Sequence, residues 1–141
     1  MDFPTHIPFA RVLGLELNKF EGGEADLALT LTPELLNSAG VAHGGVLMTV
    51  LDVAMAHAAR SLYHVPSDAP AGTLPDTVTT IEMKTSFMRP GSGRLVAKGR
   101  LLTQTLTMSF CEASVHDVDG KLVAHATGTF KRMKRKPAAA G

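Results

Sequence analysis

The stretch from Val46 to Ala59 constrains this chain more than any other. Nearly all of its side chains are Val, Leu, Met or Ala, interrupted by Thr49, Asp52 and His57. A helix that is apolar on every side belongs in an interior. The pattern therefore predicts one long buried helix over residues 42–63. Asp52 is out of place there, because a carboxylate is rarely buried without a partner and desolvating its charge is costly. The residues just before the helix suggest a use for it. In His43-Gly44-Gly45 two residues have no side chain, so backbone N–H groups at a helix start can approach a ligand closely.

The 141 residues fit one domain, expected over 1–136 with a frayed tail at 137–141. A composition 45% hydrophobic and 19% charged suits a packed core and excludes disorder. A net charge of +1, no Trp and one Tyr leave little to attract or stack nucleic acid. The single cysteine, Cys111, excludes an internal disulfide and a cysteine zinc site. The other histidines are scattered, and His57 is about 140° around the helix from Asp52, so no metal is expected. The chain opens with no basic-then-apolar signal, and its longest apolar run is too short to span a bilayer. The expectation is a soluble cytoplasmic protein with no membrane or nucleic-acid partner.

Residues 14–20 and 25–32 read as strands, the second by its period-two alternation. After the helix, residues 65–75 are rich in Pro and small side chains and form a loop. The rest is strand-forming: 77–87, 94–103, 108–118 and 122–131, expected in hairpin succession. Two strands, a long helix and four strands make an α+β layout with an antiparallel sheet. One helix cannot cover such a sheet, so an exposed edge and apolar face point to a partner subunit.

Asn37, His43-Gly44-Gly45 and Asp52, followed by Ser86-Phe87-Met88-Arg89-Pro90 and later by Asp119-Gly120 and Ala126-Thr127-Gly128-Thr129, make a specific constellation. It resembles the hotdog-fold acyl-CoA thioesterases, in particular the phenylacetate-degradation branch, over most of the chain. The resemblance implies about six antiparallel strands wrapped around one central helix. It also implies hydrolysis of an acyl-CoA thioester without a cofactor, by a homodimer with shared sites, assembled further into a homotetramer.

Thioester hydrolysis needs a clamp on the carbonyl oxygen and a base or nucleophile opposite it. By resemblance the clamp is the Gly44 N–H, with Gly45 beside it, and Asp52 activates water or attacks directly. Asn37 orders the loop near the thioester, and Thr80, counted back from Arg89-Pro90, positions water or substrate. His43 is expected to brace the helix start rather than act as a base. Relatives place a base and a glycine in the turn that is residues 103–107 here, which has neither. Arg89, Pro90 and Arg94 are therefore expected to hold the substrate, while Lys98 and Arg100 read as a solvated strand face.

Spacing adds a constraint of its own. Gly44 and Asp52 lie eight residues apart on one helix, roughly 12 Å along its axis. One carbonyl cannot be held by one and attacked by the other within a chain, so if both act they come from different subunits. Two other readings stay open: a hydratase or dehydratase on the same fold, which usually needs a His beside the carboxylate, and a non-catalytic acyl-CoA-binding module. A nucleic-acid role for the basic stretch 131–136 is disfavoured by the low net charge.

Overall fold

The computed structural model describes residues 1–135; the tail expected at 137–141 lies outside them. A short helix α1 (Pro8–Leu13) leads into β1 (Glu16–Glu21) and β2 (Glu24–Thr30). The long helix α2 (Gly44–Arg60) follows, then β3 (Thr77–Phe87), β4 (Arg94–Gln104), β5 (Met108–His116) and β6 (Leu122–Met133). The strands form one six-stranded antiparallel sheet in the order β1-β2-β4-β5-β6-β3. α2 lies along its inner face, which is the hotdog layout.

The order corrects one expectation. β3 does not form a hairpin with β4; it pairs with β6 and becomes an edge of the sheet. The connection 88–93 must pass the ends of β6 and β5 to reach β4. Three strand spacings are about 14 Å, which six extended residues span comfortably. On its way the connection is pinned beside the start of α2, where the Ala42 N–H donates to the Gly91 carbonyl at 2.9 Å.

Val46, Val50 and Val53 are modest helix formers, so packing more than intrinsic propensity holds α2. Leu47, Val50, Leu51, Ala54 and Met55 are buried in one cluster with Leu27, Leu29, Val115 and Phe130 of the sheet. Burying a side chain of this size contributes about 1.5–3 kcal/mol. The closest approach is at Gly99 of β4. A Cβ there would stand 2.6 Å from the Ala54 carbonyl carbon, so only glycine lets the helix sit this low.

The expected burial of α2 on every side is not met within one chain. Gly45 and Met48 are exposed, and Thr49, Asp52 and Ala56 are half-buried. These recur at helical spacing and form one open stripe. It adjoins the β3 edge, where Ile81 is 53% exposed.

Candidate active site

α2 starts at a tightly organised turn. The His43 carbonyl accepts from the Val46 and Leu47 N–H groups at 2.9 and 3.2 Å. Its ring Nδ1 accepts from the Gly45 N–H at 2.8 Å, making His43 the N-cap. A Cβ on Gly45 would lie 3.1 Å from that nitrogen, so a side chain would crowd the ring. The His43 N–H donates to the Leu35 carbonyl at 2.9 Å. Among the described residues, the Gly44 N–H alone in the run 42–47 has no protein acceptor. The several N–H groups expected at this helix start thus reduce to one, because Gly45's is turned back onto His43.

Gly44 opens onto a cavity of about 350 Å³. Leu47, Phe87 and Met88 give it apolar walls, with Arg89, Pro90 and Asn37 around them. A Cβ on Gly44 would be 3.6 Å from the Phe87 ring. Asn37 ties down the adjoining loop: its Oδ1 accepts from the Ala39 and Val41 N–H groups at 2.9 and 3.3 Å. Arg94 does not line this cavity. Its guanidinium donates to Glu16 at 2.7 Å and to Thr30 at 3.1 Å, which draws it onto the β1–β2 side of the sheet. Phe87 entered the sequence reading only as part of the Arg89-Pro90 motif, with no role of its own. Its place at the end of β3, next to Arg89-Pro90, is the signal that could have found it.

Asp52 lies further along α2, on the open stripe. The Thr80 Oγ1 donates to its Oδ1 at 2.7 Å. Burial raises the Asp52 carboxyl above its ordinary value, and the Thr80 hydrogen bond partly opposes that. The register of β3 shifts between Thr80 and Glu82, a bulge at Ile81 that alternation alone does not reveal. The bulge turns Glu82 outward, where it accepts from the Thr129 hydroxyl at 2.7 Å. Asp52 is thereby spared a second carboxylate two residues from Thr80.

His57 is packed away from Asp52. It sits against the Phe3 and Phe20 rings, at centroid distances of 5.2 and 5.8 Å, with Nδ1 on the Val53 carbonyl at 2.8 Å. Burial lowers its pKa to about 4, so at neutral pH the ring is uncharged. The His-beside-carboxylate pair that a hydratase would use is not assembled. Nor does one chain bring Gly44 and Asp52 together, since α2 is continuous from one to the other.

The thioesterase superfamily model matches residues 39–124, from the loop before α2 into β6. The medium/long-chain acyl-CoA thioesterase YigI of Salmonella typhimurium is 30% identical over 135 residues, covering 91% of this chain and 87% of its own. Among solved structures, a conserved protein of Pseudomonas aeruginosa superposes with a TM-score of 0.79 at 28% identity, covering 92% of this chain and 97% of that one. The Escherichia coli PaaI protein from the phenylacetic acid degradation operon shares the fold, with a TM-score of 0.75 at 24% identity over 89% of this chain and 83% of its own. The superfamily match spans more than half of the chain and agrees with the long helix seated on a six-stranded sheet, so the chain belongs to the thioesterase superfamily and is a thioester hydrolase.

Proposed function

We propose that the protein hydrolyses acyl-CoA thioesters in sites shared by two copies of the chain. The Gly44 N–H of one copy would hold the thioester oxygen, and Asp52 of the other would act as base or nucleophile. The Asp52–Thr80 pair on the uncovered stripe of α2 carries this reading. A half-buried, hydrogen-bonded carboxylate is costly to keep, and a merely binding surface gains little from one beside a thioester.

The dimer follows from what one chain leaves open. β3 is an 11-residue edge strand with Ile81 exposed, whereas the β1 edge has 6 residues. A long unprotected edge is a template for pairing. Two chains joined at β3 would each cover the other's α2 stripe, and antiparallel helices would bring Gly44 of one toward Asp52 of the other. Pairing of two such dimers into a tetramer follows the resemblance alone.

In such a site the helix N-terminus, with its partial positive charge, stabilises the oxygen as it gains charge. Asp52 either takes a proton from a water that attacks the carbonyl carbon, or attacks it and is released by water. In the first route Asp52 passes the water's proton to the coenzyme A sulfur as the C–S bond breaks; in the second the sulfur leaves as a thiolate, and the water that then cleaves the acyl–Asp52 anhydride regenerates the carboxylate and supplies the thiol's proton. Thr80 fixes the carboxylate, and His43 fixes the turn that carries Gly44. The Leu47, Phe87 and Met88 walls suit an apolar acyl group, in keeping with the name of the Salmonella relative. Arg89 and Pro90 border the same cavity and would contact substrate at its rim. Arg94, engaged with Glu16 and Thr30, is left out of this reading. A cytoplasmic setting, in which the buried Cys111 stays a free thiol, completes this reading.

A panel of acyl-CoA esters with detection of the released thiol tests the proposal. Wild type should release thiol, and folded Asp52→Asn should be slower by about two orders of magnitude or more, as for loss of a base. Near-normal turnover in the variant would remove Asp52 from the chemistry.

A further inference from the structure

We propose that the phosphates of the substrate's carrier bind at the corner where β6 ends beside the β4–β5 turn, with Arg132 and Lys134 as the phosphate-binding side chains. This rests on the reading that the substrate is an acyl-CoA.

The corner encloses a cavity of about 390 Å³ lined by Asp76, Leu106, Thr107, Arg132 and Lys134. Arg132 Nε donates to Asp76 Oδ2 at 2.6 Å, and Lys134 Nζ is 3.5 Å from the same oxygen. Two cations on one carboxylate leave positive charge uncompensated. The Arg132 guanidinium carbon sits 4.2 Å over the Tyr63 ring centre, which fixes the plane of the group. Its Nε is occupied by Asp76, but its terminal nitrogens make no hydrogen bond among the described residues. They can fork onto phosphate oxygens, the geometry for which guanidinium is suited. The Lys134 side chain is 89% exposed and free to swing onto the same group.

The turn at residues 103–107 has no base of its own. The structure brings β6 against it, with the Arg132 N–H donating to the Thr107 carbonyl at 2.7 Å. The basic residues at the end of β6 thus supply the charge that the turn lacks.

Position relative to Asp52 makes the assignment specific. Thr80 pairs with Phe130 and Val78 with Arg132, so Arg132 shares the helix-facing side of the sheet with Phe130. Its stacking on Tyr63, just beyond α2, agrees. From Thr80 back to Asp76 is four residues of β3 and its lead-in, about 13 Å. The pantetheine arm between sulfur and diphosphate is comparable to four extended residues, about 14 Å. A thioester at Asp52 and Thr80 therefore puts the diphosphate at Arg132 and Lys134. Arg89 borders the Gly44 cavity, where this reading puts the reacting carbonyl, and is assigned to that end of the substrate.

The test compares an acyl-CoA with the matching acyl-pantetheine, which lacks the nucleotide and its phosphates. Wild type should prefer the acyl-CoA. Lys134→Gln should raise KM for acyl-CoA by about threefold, the scale of one exposed charge contact, with kcat unchanged. It should leave the acyl-pantetheine unchanged. Arg132→Gln/Lys134→Gln, checked for folding by its melt, should abolish the preference, whereas Lys98→Gln, which removes a charge elsewhere, should keep it. Calorimetric titration with the adenosine bisphosphate half of coenzyme A should show binding to wild type that the double variant loses. Equal kcat/KM for the two thioesters in wild type, or preference and nucleotide binding retained in the double variant, would overturn the assignment. If wild type hydrolyses neither thioester, the acyl-CoA reading fails by itself. The titration then decides the corner: binding lost in the double variant upholds it, and binding unchanged overturns it.

Discussion

The Thr80 hydroxyl donates a 2.7 Å hydrogen bond to Asp52, so the edge strand β3 holds the one carboxylate of α2. The carboxylate proposed to react is thereby tied to the strand that the proposed dimer would pair, and a disturbance of either should be felt by both.

Removing the hydroxyl should change the pH dependence as well as the rate. Burial raises the Asp52 carboxyl and Thr80 lowers it, so Thr80→Val should raise it further. Activity needs the ionised form; the acid limb of the kcat/KM profile should therefore move to higher pH. Turnover at neutral pH should fall about tenfold, the scale of one hydrogen bond to a charged group. Thr80→Ser should restore both limb and rate. An unmoved acid limb in Thr80→Val would separate Thr80 from the titrating group.

Asp52 should also cost stability. Its folded-state value lies above the ordinary 3.8, so the folded protein holds the proton more tightly than the unfolded chain. The group then favours folding below that value and penalises it once ionised, as pH rises through the folded value. Asp52→Asn should accordingly melt higher than wild type at pH 7, and the gap should close toward acid pH. A variant that melts lower than wild type at neutral pH, with the gap unchanged by acid, would contradict this.

His43 is assigned as a cap, not a base. His43→Ala should lose about 1 kcal/mol of stability, the usual cost of a lost N-cap. His43→Asn keeps a capping oxygen and should hold turnover within a few-fold of wild type. A general base would instead be lost in both variants alike.

Gly99→Ala should be among the most damaging single-methyl changes in the chain. The added Cβ meets the Ala54 backbone, which cannot move without shifting α2 and Asp52 two residues away. A loss of about 3 kcal/mol in denaturant unfolding is expected, at the upper end for overpacking. A loss under about 1 kcal/mol would mean that the helix has room to lift.

Most of the fold was legible because its signals are local. The period-two alternation of residues 25–32 and the apolar run around Asp52 identify elements wherever they end up in space. Pairing is not local: nothing in residues 77–87 says that they lie against β6 and not β4, and the hairpin expectation failed there. The open stripe of α2 was hidden for a related reason, since Met48 and Ala56 are apolar whichever way they face and composition does not say which side the sheet covers. At the site, the resemblance named His43, Gly44, Asp52 and Thr80, and the structure sets the Thr80 hydroxyl against Asp52. The Ile81 bulge and the Phe87 wall depend on register and were not named. Arg94 shows the limit of proximity in sequence: two neighbouring strands claim its guanidinium.

The shared site is the central claim, and mixed dimers test it most directly. Asp52→Asn removes the carboxylate, and Gly44→Val drives a branched side chain toward Phe87, across the free N–H. Each variant alone should be inactive. In a purified heterodimer of the two, one site has both groups intact and the other has neither, so turnover should return to about half the wild-type value per dimer. Purified heterodimers as inactive as either parent would place both groups in a site within one chain and contradict the account.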